Sequence, residues 1–156
     1  MAIPRRPFVG LFGSHIGAWR SGVAADLTAA GVASFDPTDP RWKRIRESTG
    51  DALQPLVDRL VAKQLRAIEA SACIVFFIGG DDGGRDGRKT CLHSPAARCE
   101  LGLLAALAKP TFAYVEPTAI GRNYLWALMR RHPTLVRCDG LAQARDRAIA
   151  WMRRRA

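Results

Sequence analysis

Cys73-Ile74-Val75-Phe76-Phe77-Ile78, closed by Gly79-Gly80, is an unbroken run of β-branched, aromatic and other apolar residues. It shows no polar alternation and is bounded by glycine. It therefore reads as a strand covered on both faces, as in a parallel sheet with helices packed above and below. The flanking sequence agrees. Upstream, from Asp51, the residues Leu53, Leu56, Val57, Leu60, Val61, Leu65 and Ile68 recur at three and four positions, which predicts a long amphipathic helix. Downstream, a glycine- and aspartate-rich loop (79–87) leads to Ser94-Pro95, an N-cap residue followed by a proline suited to the first helical turn. Ala96 to Leu107 is mostly Ala and Leu, strong helix formers, and Lys109-Pro110 supplies the stop.

The same alternation extends to both ends of the chain. Phe8 to Phe12 predicts a first strand ended by Gly13-Ser14, and Ala18 to Ala30 a helix stopped by Gly31. Val32 to Phe35 predicts a second strand, followed by the turn cluster Asp36-Pro37-Thr38-Asp39-Pro40 and a polar, basic stretch from Arg41 to Gly50. Beyond Lys109-Pro110, Thr111 to Val115 and Thr134 to Cys138 read as strands, and Arg122 to Arg131 and Leu141 to Arg155 as helices. Strand and helix in turn predict one α/β domain over 1–156. Its expected form is a flavodoxin-like (Rossmann-like), doubly wound, five-stranded parallel sheet of order 2-1-3-4-5. Ligands in such sheets bind beyond the carboxyl ends of the strands, at the switch between strands 1 and 3. The segments expected to meet there are Gly13 to Trp19 and Gly79 to Glu100.

Composition narrows the classes. Hydrophobic residues make up 48% of the 156 and charged residues 24%, as in a globular rather than a disordered chain. No apolar run approaches the roughly 18–20 residues that span a bilayer, so no membrane segment is expected. The N-terminal segment reads as the approach to strand 1 and not as a signal peptide, and the expected compartment is the cytoplasm. Cys73, Cys91, Cys99 and Cys138 lack metal-ligand spacing and read as buried free thiols, with no metal expected. Cys91, close to His93, is the one candidate for a reactive thiol. The net charge of +10 is spread over Arg41–Arg46, Arg85–Lys89, Arg130-Arg131 and Arg153-Arg154-Arg155, without the interleaved aromatics that stack bases. Solvated basic faces are favoured over a nucleic-acid interface, though a positive field attracts small anions such as nucleotides.

Glu100 stands out because it lies inside an apolar helical segment whose surface asks to be buried. A buried, unpaired carboxylate is costly, so such a residue is either paired structurally or kept for chemistry. Arg98 and Arg20 are the candidate structural partners.

Taken in order, several pieces resemble the nucleoside 2-deoxyribosyltransferase family, which includes nucleotide N-glycoside hydrolases. They are Gly13-Ser14 with Trp19-Arg20, Phe35-Asp36-Pro37, Gln64, the strand ending at Ile78, Ser94 with Glu100-Leu101-Gly102-Leu103 six residues on, and Lys109-Pro110. The resemblance covers most of the chain. It implies that Glu100 attacks the anomeric carbon of a (deoxy)nucleoside or nucleoside 5′-monophosphate. The base leaves, a glycosyl-enzyme ester forms, and another base or water takes the sugar. A carboxylate suits both steps, as nucleophile and as partner to the oxocarbenium-like charge. The resemblance also implies a homo-oligomer with shared sites, and serine at position 94 leans toward a phosphorylated substrate. No cofactor is implied.

The remaining candidates each carry two readings. Gly13 permits close backbone approach to a ligand and Ser14 offers a hydroxyl to phosphate or sugar, while His15 is equally a solvent-facing turn residue or a functional one. Trp19 either stacks a base or packs as core. Asp36 either contacts the base or opens an Asx-type turn, the turn being favoured. Ser94 caps its helix and, with free amides, can also hold an anion. The resemblance implies that Asn123 reaches a neighbouring subunit's site; the residue alone reads as a helix N-cap, and the cap is favoured. Two departures stand out. Cys73 occupies a position where many members have aspartate, and no acid for protonating the leaving base is placed, with Asp81, Asp82 and Asp86 as loop candidates. The rival functions are an NAD-type dinucleotide glycohydrolase, a non-catalytic nucleotide-binding or sensing module and, less favoured, a nucleic-acid-binding module.

Overall fold

The computed structural model describes residues 3–14, 18–41, 53–79, 95–119 and 121–155, with the backbone alone for Pro95 and Ala96. Among the described residues, five strands and five helices alternate. The strands are β1 (Phe8–Gly13), β2 (Ala33–Phe35), β3 (Cys73–Ile78), β4 (Thr111–Val115) and β5 (Leu135–Cys138). The helices are α1 (Trp19–Ala29), α2 (Gln54–Ala70), α3 (Pro95–Ala106), α4 (Arg122–Arg131) and α5 (Leu141–Arg153). All strand pairings are parallel and the order is β2-β1-β3-β4-β5, as the sequence pattern requires. The chain is thus a flavodoxin-like α/β fold. Among the described residues, no helix is long and apolar enough to cross a membrane.

The two cores follow from the period-two geometry of the strands. Phe8 and Phe12 of β1, Ile74, Phe76 and Ile78 of β3, and Ala113 and Val115 of β4 point to one face. They meet Ala67 and Ile68 of α2, Leu101 and Leu104 of α3, and Leu125 and Met129 of α4. Val9 and Leu11, Cys73 and Val75, and Phe112 point to the other face, against Val23 and Leu27 of α1 and Ala144 and Ala148 of α5. Burial on both faces is why Cys73–Ile78 carries no polar residue at all.

Local bonds set the boundaries. β2 starts one residue later than expected because the Val32 N–H turns back to the Leu27 carbonyl at 2.8 Å, closing α1 through Gly31 at φ +75°. Lys109 does more than end α3. Its Nζ donates to the Glu69 and Ser71 carbonyls at 2.8 Å each, so it holds the C-terminal end of α2 beside the start of β4.

Candidate functional site at the strand ends

Gly13 and Ser14 leave β1 beside the end of β3, and their geometry explains the residue choice. Gly13 pairs with Phe77 in the sheet and takes φ +111°, a conformation that L side chains rarely adopt. A Cβ built there would collide with the Phe77 carbonyl oxygen. The next residue reinforces the junction, since Ser14 N–H donates to that carbonyl at 2.8 Å. Ser14 Oγ accepts the Gly79 N–H at 3.1 Å, which ties the β1 exit to the β3 exit. The hydroxyl proton is left to donate to a further acceptor.

Glu100 reaches this junction from α3. Its Oε2 accepts the Gly13 N–H at 3.2 Å, so the carboxylate sits where strands 1 and 3 part. Burial pushes its pKa up to about 7 from 4.5, and the Gly13 hydrogen bond and then the Arg20 charge pull it only partly back. Near neutral pH the group therefore exchanges a proton readily. As carboxylate it is weakly solvated and basic, the condition under which an acid side chain attacks carbon or takes a proton.

Arg20 is the organiser of the same corner. It lies buried on α1 and donates from Nε to the Leu11 carbonyl at 3.1 Å, from Nη1 to Ser14 at 2.9 Å and from Nη2 to Gly13 at 2.7 Å. Its Nε also faces Asp36 Oδ1 at 3.6 Å. One guanidinium thus satisfies the carbonyls of Leu11 and Gly13, at the end of β1 beyond its pairing with β2, and that of Ser14 just past the strand, and the Asp36 charge offsets its own burial. Sequence reasoning named Arg20 only as a family piece and a possible partner of Glu100. The signal for its role was available: Arg20, Val23 and Leu27 recur at three and four residues, which puts a cation on the buried face of α1.

The other candidates fall in different places. Trp19 is part of the wall: its Nε1 donates to the Ser14 carbonyl at 2.8 Å, its ring meets Phe77 edge-on at 5.4 Å, and the Arg20 guanidinium covers it at 4.5 Å. Asp36 makes the Asx turn, accepting the Thr38 N–H at 2.8 Å, and faces Arg20 as well. Asn123 is not the cap of α4. Gly121, at φ +73°, occupies that position, and Asn123 lies exposed in the first turn. Ser94, His15, Cys91, His93, Asp81, Asp82 and Asp86 lie outside the described residues.

Two further expectations are corrected. α3 is not apolar all round, because Ala97, Leu101, Leu104 and Ala105 are buried while Arg98, Cys99 and Gly102 face outward. Cys99 is accordingly an exposed thiol, whereas Cys73 and Cys138 are buried as expected, with burial pushing the Cys73 thiol up to about 12 and Cys138 to about 11. Neither protein-family models nor curated proteins match this chain.

Proposed function

We propose that this protein cleaves the N-glycosidic bond of a nucleoside or nucleoside 5′-monophosphate, with Glu100 as nucleophile. The observation that carries the reading is a desolvated carboxylate, with a pKa of about 7, held by the Gly13 N–H at the parting of β1 and β3. Parallel α/β sheets bind their ligands at that place. The ordered resemblance to the nucleoside 2-deoxyribosyltransferase family supplies the substrate class.

In the proposed reaction a Glu100 oxygen bonds to C1′ as the C1′–N bond breaks. The electron pair goes to the base, which takes up a proton from solvent water. Water or a second base then displaces the ester at C1′, gives its proton to solvent and restores the carboxylate. Burial aids the first step, because a poorly hydrated carboxylate is a stronger nucleophile and a closer counter-charge to the oxocarbenium-like centre. The hydroxyl of Ser14 would donate to a sugar or phosphate oxygen. Arg20 would act through the turn, by fixing the carbonyls of Gly13 and Ser14 so that the Gly13 N–H stays aimed at Glu100. In the family reading the protein is a homo-oligomer, and Asn123, exposed on α4, is the residue offered to a neighbouring subunit.

The test is release of free base. The protein is incubated separately with deoxynucleoside 5′-monophosphates and with NAD, alongside the Glu100→Gln variant. Base release from a monophosphate that falls at least about a thousandfold in the variant supports the reading. Release from NAD alone favours the dinucleotide glycohydrolase. Nucleotide binding without release, equal in both proteins, leaves a binding module.

A further inference from the structure

At the opposite end of the sheet, where the strands begin, a cleft of about 570 Å³ opens between the start of β1, the start of β2 and the C-terminal end of α5. Its walls include Pro7, Val32 and Met152, and three guanidinium-bearing residues line it: Arg6, Arg153 and Arg155. We infer that this cleft binds a small organic anion, a carboxylate, sulfonate or phosphate joined to an apolar body. The site is separate from the glycosidic chemistry proposed above and does not depend on it.

Three observations carry the inference. First, the volume lies within the roughly 300–1,000 Å³ typical of small-molecule sites, and apolar walls with a few polar groups are the usual construction. Second, the arginines come from segments far apart in the sequence, and no Asp or Glu is among the described residues that line the cleft. A ligand anion would supply the missing negative charge in the planar geometry that guanidinium groups favour. Third, the arrangement is not explained by helix electrostatics alone. A cation in the last turn of α5 is favoured by the helix dipole, and this accounts for Arg153. It does not account for Arg6, which precedes β1, nor for Arg155, which lies beyond the helix with its guanidinium 4.6 Å from the Trp151 ring centre. That contact gives one of the three charges a fixed position. The six residues of β1 separate the cleft from Glu100 by roughly 20 Å, so the carboxylate does not repel an anion there.

The experiment uses 8-anilinonaphthalene-1-sulfonate, a fluorescent sulfonate with an aromatic body, titrated into the whole chain. The expected result is one saturable site per chain, with displacement by octanoate and not by the neutral octanol. The amide signals of Val32 and Ala72 should shift in the wild-type protein, whether or not any variant folds. Replacing the arginines together (Arg6→Gln, Arg153→Gln and Arg155→Gln) should weaken binding at least about tenfold. The pair Arg130→Gln and Arg131→Gln, on α4, should leave it unchanged. Lack of saturable binding, equal affinity in the triple variant, or amide shifts confined to Gly13 and its neighbours would overturn the inference. So would displacement by an oligonucleotide but not by octanoate.

Discussion

The two ends of one parallel sheet treat charge in opposite ways. At the carboxyl ends, Glu100 is desolvated, the Arg20 guanidinium is spent on three carbonyls and Asp36, and Ser14 joins two strand exits. At the amino ends, Arg6, Arg153 and Arg155 line a cleft without a described carboxylate among them. The first end is built by hydrogen bonds that fix one geometry, and the second by charges left facing solvent. The contrast teaches where substitutions will be felt. Changes at the first end should disturb folding and chemistry together, and changes at the second should disturb ligand binding alone.

The largest effect expected is at Arg20. Arg20→Met removes a buried cation and takes its hydrogen bond from the Leu11 and Gly13 carbonyls and its charge from Asp36, while Ser14 keeps only the Trp19 donor, which should destabilise the fold by about 3–5 kcal/mol in a urea melt. A loss under about 1 kcal/mol would mean that the turn holds itself. Next come two glycines that share positive φ but not surroundings. Gly13→Ala meets the Phe77 backbone and should cost about 3 kcal/mol or more, because backbone cannot step aside. Gly31→Ala, at φ +75° with nothing within 4 Å, should cost only about 1 kcal/mol. Equal costs at the two positions would erase the structural contrast between the ends.

The acid dependence of stability sharpens the comparison further. The folded protein binds the Glu100 proton more tightly than the unfolded chain, with a pKa raised from 4.5 to about 7. The resulting stabilisation is complete below about pH 4.5 and is lost as the pH rises through about 7. Glu100→Gln abolishes that slope while keeping an acceptor for the Gly13 N–H. The variant should therefore match the wild type near pH 4.5 and exceed it at pH 8 by about 2–3 kcal/mol in thermal or urea melts. Activity should run the other way, rising in the wild type through about pH 7 as the nucleophile ionises. The smallest effect is expected from the triple arginine variant of the amino-end cleft, which should leave stability within about 0.5 kcal/mol of wild type.

What the sequence made legible was decided by local pattern. Cys73–Ile78 and Thr111–Val115 are strands with the expected limits, because burial on both faces leaves Cys73–Ile78 an unbroken apolar run and Thr111–Val115 a mostly apolar one. The strand order followed from the alternation of elements. Side-chain environments were legible only where a period exposes them. Arg20 could be read as buried from its spacing to Val23 and Leu27, but its three carbonyl partners lie where β1 runs on past the end of β2, a placement no period encodes. Cys99 looked buried amid Ala and Leu, yet it follows Arg98 on the outward side of α3, a rotation set by packing on the sheet. Asn123 resembled a cap by composition, while the left-handed Gly121 two residues earlier does the capping. The cleft of Arg6, Arg153 and Arg155 was invisible because its residues meet only after the chain has closed the sheet.

The most direct measurement is the titration of the Glu100 carboxyl carbon by NMR, using selectively labelled glutamate and the Glu100→Gln variant to assign the signal. A midpoint close to 7 is the result this account requires, since it reports a carboxylate stripped of water at the strand ends. A midpoint near 4.5, the ordinary value, would show a hydrated surface acid and would remove the basis for Glu100 as nucleophile.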